Sequence, residues 1–172
     1  MSELQSSALH ADQAWMKQAI ALALQGQYST KPNPNVGCVI VKDGQLLGMG
    51  YHPQAGQPHA EVFAMREAGE QTQGATAYVT LEPCAMCAGL LVHSRVKRLV
   101  FGAKDAKTGA AGSVLDIVRH PVLNHQLDVL DGPLAQQCAD KLSEFFRRRR
   151  AEQKALKQQE KQQSVGEGQF KQ

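Results

Sequence analysis

No stretch of this 172-residue sequence is apolar for long enough to cross a bilayer, which takes about 20 consecutive apolar residues. The opening segment Met1-Ser2-Glu3-Leu4-Gln5 also lacks the apolar core of a secretory signal. Cysteine is scarce, with four in all. Cys38 lies in the apolar run Val36-Gly37-Cys38-Val39-Ile40-Val41, and Cys138 falls on the apolar stripe of a C-terminal helical segment. Both read as packed core thiols rather than a disulfide pair. A cytoplasmic, reducing location is therefore expected. No internal repeat is visible, so solenoid and propeller architectures are set aside. Hydrophobic residues make up 42%, enough for one real core. The expected organisation is a disordered stretch 1–10, one domain over 11–153, and a basic, disordered tail over 154–172.

Two short segments carry the chemistry: His59-Ala60-Glu61 and Pro83-Cys84-Ala85-Met86-Cys87. Cys84 and Cys87 are three residues apart, so on a helix their sulfurs face the same way. Pro83 suits a helix start, where its missing N–H is no loss. A helix N-terminus favours negative charge and so stabilises thiolates. His59 opens a second helical pattern and adds an imidazole. Two thiolates and one imidazole make three zinc ligands, leaving the fourth tetrahedral position open for water, as in a catalytic site. No fourth Cys or His lies at close spacing, as a structural zinc site would require. Zinc brings its bound water to a pKa of about 7, giving a hydroxide for attack. Glu61 is then the proton shuttle rather than a ligand. The pattern H-x-E…P-C-x-x-C is the signature of zinc nucleobase deaminases, and one Zn2+ per chain is expected.

The net charge of +3 is unevenly spread. Residues 147–172 hold eight Lys or Arg against three Glu, a net +5, which leaves −2 on residues 1–146. The run Arg147-Arg148-Arg149-Arg150 follows Phe145-Phe146 on a helix, which places positive charge at the domain edge and suits phosphate contacts. The hydrophobic pattern predicts helices over about 11–25, 59–68, 84–93 and 134–153, with a short helix at 114–118. Strands are expected at 36–41, 45–51, 75–81, 96–101 and 127–130, the first two joined by a tight turn at Lys42-Asp43-Gly44. Trp15, Ala19, Leu22 and Ala23 form the expected buried stripe of the first helix. Leu134, Cys138, Leu142 and Phe145 do the same for the last. The order helix-β-β-α-β-α-β-β-α, with zinc ligands at two helix N-termini, matches the three-layer cytidine-deaminase-like α/β fold, a mixed five-stranded sheet flanked by helices.

From about Ala11 to Cys84 the chain resembles the pyrimidine deaminase of riboflavin biosynthesis. The resemblance rests on Lys31-Pro32-Asn33-Pro34-Asn35-Val36-Gly37, Gly50-Tyr51-His52 and Ala55-Gly56-Gln57-Pro58-His59-Ala60-Glu61. From about Thr80 to Lys154 it resembles the bacterial tRNA-specific adenosine deaminase. Here the carriers are Thr80-Leu81-Glu82-Pro83-Cys84-Ala85-Met86-Cys87, His93-Ser94-Arg95, Phe101-Gly102-Ala103-Lys104-Asp105-Ala106-Lys107-Thr108-Gly109 and Phe145-Phe146-Arg147. A recombinant or designed hybrid is one economical explanation. The first resemblance implies that Asn33 and His52, with Ala60, shape a substrate pocket. The second implies that the loop Gly102–Ser113, including Lys107, and Arg147, Arg148, Arg149 and Arg150 hold a tRNA anticodon loop, in a homodimer. The short Cys84–Cys87 spacing favours the tRNA class, because the riboflavin enzyme places its second zinc cysteine much later. The expected reaction is therefore adenosine to inosine at the wobble position of tRNA. Alternatives are the riboflavin-pathway pyrimidine, single-stranded DNA adenine in an engineered chain, and a catalytically weak RNA-binding hybrid.

Overall fold

The computed structural model describes residues 3–168 and contains four helices and a five-stranded sheet. In chain order the elements are α1 (Glu3–Gln25), β1 (Gly37–Lys42), β2 (Gln45–Tyr51), α2 (Ala60–Ala68), β3 (Thr76–Leu81), α3 (Ala85–His93), β4 (Arg98–Ala103), β5 (Asp128–Asp131) and α4 (Ala135–Gly168). A 3-10 turn at Gly69–Thr72 follows α2. The sheet order is β2-β1-β3-β4-β5. β1 runs antiparallel to both β2 and β3, whereas β3, β4 and β5 are mutually parallel.

Alternation along the strands explains the three layers. Cys38, Ile40, Ala77, Val79, Leu99 and Phe101 point to one face, where Ala60, Ala64, Leu91 and Val92 of α2 and α3 cover them. The intervening Val39, Val41, Tyr78 and Val100 point to the other face, covered by Met16 and Ala19 of α1 and Cys138 of α4. Strands buried on both faces read as continuous apolar runs, as 36–41 does. The β1–β2 hairpin turns through Asp43 and Gly44, both at positive φ (51° and 73°), which is the geometry that favours Asp-Gly. Gly48 and Gly50 let α2 lie directly on β2: a Cβ on either would come within 2.2 and 2.4 Å of the carbonyls of Ala64 and Ala60.

Three local expectations differ from the structure. The first helix begins at Glu3 rather than near Ala11, so residues 3–10 are helical. Nothing from Glu3 to Gln25 is Pro or Gly, and an acidic residue at the start suits the helix dipole. Its buried stripe is Asp12, Met16, Ala19 and Ala23, with Trp15 and Leu22 only partly buried. Burial of Asp12 is compensated by Tyr78, whose hydroxyl donates to it at 2.8 Å, and by both Arg98 Nη atoms at 2.8 Å. The last helix runs on past Gln153 to Gly168, because the Gln-, Lys-, Glu- and Ala-rich segment contains good helix formers and neither Pro nor Gly before Gly166. Residues 1–2 and 169–172 lie outside the described residues. Finally, 114–118 is not a helix: Ala111 bridges to Asp116, and the amides of Val114 and Leu115 both donate to the Gly109 carbonyl. Cys38 and Cys138 are buried free thiols, as expected.

One edge of the sheet gathers every loop that matters. β1 begins there and β2, β3 and β4 end there, with Gly37 paired to Tyr51 and its amide donating to Thr80 Oγ1 at 3.2 Å. Open α/β sheets place ligands beyond the carboxyl ends of their parallel strands.

Candidate active site

His59 and Cys84 occupy the position just before α2 and α3 respectively, in extended backbone (φ −72°, ψ 163° and φ −71°, ψ 172°). Neither side chain caps its own helix, so both are free to turn toward a shared point. Cys87 sits in the first turn of α3. The three donor atoms lie within 4.8 Å of one another, with His59 Nδ1 at 3.6 Å from Cys84 Sγ and 3.4 Å from Cys87 Sγ. Tetrahedral zinc, with Zn–S about 2.3 Å and Zn–N about 2.0–2.1 Å, holds such donors about 3.6 Å apart. The residues present fit the ion.

Their protonation agrees. Hydrogen bonds from Cys87 and His59 lower the Cys84 thiol to about 4. Cys87 is pushed up, first by its hydrogen bond to Cys84 and then by burial. A coordinated cation would deprotonate both thiols outright. The hydrogen bond to Cys84 also raises His59. Glu61 lies in the first turn of α2, 3% exposed, with Oε2 lacking a partner among the described residues. Burial raises its pKa, against the opposing pull of a backbone hydrogen bond and His59.

These groups line a cavity of about 180 Å³ together with Asn33, His52, Glu82, Asp105 and Thr108. His52 Nδ1 lies 3.0 Å from the Pro58 carbonyl. A carbonyl only accepts, so this nitrogen carries the proton and Nε2 is bare. Asn33 Nδ2, 3.3 Å away, donates to Nε2. The His52 ring stands edge-on to His59, centroids 5.6 Å apart.

Residues 9–103 match the cytidine and deoxycytidylate deaminase zinc-binding region. The chain belongs to this zinc deaminase family. It is 46% identical over 132 residues to the tRNA-specific adenosine deaminase of Haemophilus influenzae, covering 71% of this chain and 76% of that protein. It is 44% identical over 144 residues to the riboflavin biosynthesis protein RibD of Escherichia coli K12, covering 80% of this chain but 38% of that protein. Among solved structures, RibD of Acinetobacter baumannii (form 2) superposes with a TM-score of 0.73 at 51% identity, over 81% of this chain and 40% of that one. The chain therefore spans about two fifths of the RibD proteins it matches.

In this deaminase the sequence-predicted residues do not all converge. Ala60 is fully buried in the core and does not line the cavity. Lys107 is exposed on the loop beside the cavity, its amide donating to Asp105 Oδ1 at 2.8 Å. The four arginines divide. Arg147 and Arg150 are exposed. Arg148 instead stacks over Tyr28, 4.7 Å from the ring centroid, and donates to the Gln27 carbonyl. Arg149 donates to the Pro32 carbonyl at 2.9 Å. A guanidinium beside a loop carbonyl donates to it directly, so both arginines are engaged by the loop, Arg148 in a part-buried contact and Arg149 in an exposed one.

Glu82 was the residue sequence reasoning missed. It is 2% exposed and gathers the loop after β4. Asp105 N–H (3.1 Å) and the Ser113 hydroxyl donate to Oε2, while Ala111 N–H (2.9 Å) and Ser113 N–H (3.0 Å) donate to Oε1. Burial would raise its pKa, but these bonds outweigh that and hold it below the usual carboxylate range. Gly109 passes so close that a Cβ there would meet the Glu82 carboxyl at 2.5 Å. A carboxylate at the end of an otherwise apolar strand, just before the Pro-Cys pair, is the signal that could have revealed it.

Proposed function

We propose that this chain converts adenosine to inosine in a tRNA anticodon loop, at the wobble position. The observation that carries the reading is a small cavity beside a basic helix. At about 180 Å³ the cavity is below the roughly 300–1,000 Å³ of sites that enclose a drug-sized ligand, so one base ring enters and the rest of the substrate stays outside. Arg149 reaches Pro32, the residue before cavity-lining Asn33, and the basic face of α4 begins at the next residue. That face comprises Arg150, Lys154, Lys157 and Lys161. A target base must leave its stack to be deaminated, and its backbone must be gripped beside the pocket.

His59, Cys84 and Cys87 would hold the zinc, which would supply an activated water at the amino-bearing carbon. Glu61 takes one proton from the attacking water and gives it to the ring nitrogen, then takes the remaining proton of the new hydroxyl and gives it to the departing amino group. Water and the amidine become a carbonyl and ammonia, with no redox change. A carboxyl with a raised pKa is suited to both halves of this transfer. His52, fixed by Pro58, and Asn33 orient the base.

A second reading has its own observation. Asn33 and His52, the pair the riboflavin resemblance singles out, both line the cavity and bond to one another, as a pyrimidine pocket would need. The test is incubation of zinc-loaded protein with tRNA and, separately, with the riboflavin-pathway aminopyrimidine, assaying inosine and ammonia. Inosine in tRNA supports the first reading. Ammonia from the pyrimidine alone overturns it in favour of the second.

A further inference from the structure

The loop between α1 and β1, residues 26–36, has no regular secondary structure, yet it delivers Asn33 to the cavity. Turns within it and the bonds of Ser29 to Pro53 and of Asn35 to Ala23 hold part of it, and the far end of the chain holds the stretch at 27–32. Arg148 of α4 lies over Tyr28, 4.7 Å from its centroid, with Phe145 at 6.0 Å on the same guanidinium. Its Nη2 donates to the carbonyl of Gln27. Arg149 Nη1 donates to the carbonyl of Pro32 at 2.9 Å, and Lys31 pairs with Glu152. These attachments span residues 27–32. The next residue is Asn33, whose own amide donates to Thr30 at 2.8 Å.

We propose that Arg148 and Arg149 are positioning residues for substrate binding: through Gln27, Tyr28 and Pro32 they hold the wall of the pocket that presents Asn33 to His52 and the substrate. The physical case rests on what each group can do. The Gln27 carbonyl is part-buried and gains a donor from Arg148, the exposed Pro32 carbonyl is tethered by Arg149, and an eleven-residue loop must be restrained to keep one side chain in register. An arginine whose purpose was phosphate contact would keep its fork in solvent. Arg148 instead spends its planar face on two aromatic rings, and its Nε is buried with no hydrogen-bond partner among the described residues. Arg149 contributes a single donor. The proposal rests on reading Asn33 as a substrate contact.

The test uses the zinc-loaded full chain with Arg148→Ala, Arg149→Ala, Arg149→Lys and a surface control, Lys17→Ala. Amide hydrogen exchange reports the loop without any substrate. Both Ala variants should exchange the Asn33 amide about tenfold faster, with β3 and β4 unchanged. For whichever substrate the parent turns over, KM should rise about tenfold and kcat fall by less than about threefold. Arg149→Lys should restore both readings, because one N–H donor is all that Pro32 receives. If the substrate is RNA, the slope of log kcat/KM against log salt should stay as in the parent. Unchanged exchange at Asn33 overturns the proposal, whatever the substrate. Faster exchange with unchanged KM also overturns it, since the loop would then be irrelevant to binding. A slope flattened by about 0.7 per arginine would make these residues phosphate contacts instead. If the parent acts on neither substrate, the functional reading fails separately while the exchange result still decides the positioning role.

Discussion

A carboxyl taken fully out of water with one oxygen unpartnered is costly to the fold, and Glu61 is such a group at the floor of the cavity. Substituting the isosteric amide removes the proton carrier while keeping the shape. Glu61→Gln should therefore retain one zinc per chain by metal analysis and lose about 10³-fold in turnover, within the usual range for general acid–base catalysis. Near-parent turnover would mean another group moves the proton. Asn33 lines the cavity and donates to His52 Nε2. As a substrate contact on the proposed reading it contributes about 1–3 kcal/mol to binding, so Asn33→Ala should lower kcat/KM roughly 5- to 150-fold with zinc content unchanged. The grouping of His59, Cys84 and Cys87 was legible from sequence because metal chemistry accepts few residue types and the two cysteines are one helix turn apart. Glu82 was not, because its partners lie 23 to 31 residues further along in a loop with no periodicity to read.

The loop after β4 and the helix α4 carry the next pair of expectations. Glu82 binds its loop as a carboxylate, so Glu82→Gln should cost roughly 2–4 kcal/mol, by the loss of hydrogen bonds to a charged acceptor. Its folded pKa is depressed, so the stability it supplies is present above the unfolded value near 4.3. That contribution disappears as pH falls through the lower folded value. The Tm gap between parent and variant should hold from about pH 8 to 5 and narrow below about 4 in thermal melts. On α4, Arg148 and Arg149 are engaged by the loop at 27–32, so on the proposed reading Arg147 and Arg150 are the arginines left for phosphate contact. Replacing that exposed pair with Ala should flatten the dependence of log K on log salt by about 1.4 for single-stranded RNA. An unchanged slope would make the exposed pair a solvated helix face. The helix pattern itself was readable, since its apolar stripe has a 3.6-residue period. Which arginines face outward was not, because Arg148 and Gln27 are 121 positions apart.

For the molecule as a whole, the metal joins two helices from separate parts of the chain, so its removal should be felt globally. Zinc at a thousandfold excess over its dissociation constant adds about 4 kcal/mol, and at about 2–4 °C per kcal/mol for a chain of this size chelation should lower Tm by roughly 8–16 °C. Cys87→Ala should show the chelated Tm with or without added zinc. Full zinc occupancy in that variant would remove Cys87 from the ligand set. The three-layer architecture was legible from the alternation of helices and apolar strands, whereas the reach of α1 and α4 was not, because their outer turns are exposed and carry no apolar stripe to read. The clasp of Arg148 and Arg149 on the loop at 27–32 also sets an order of events during synthesis. A ribosome releases all three metal donors by residue 87, but the clasp belongs to a helix that begins at Ala135, and domains form from the N-terminus as they emerge. The nascent chain thus contains every donor residue before the segment that clasps its pocket wall has been made.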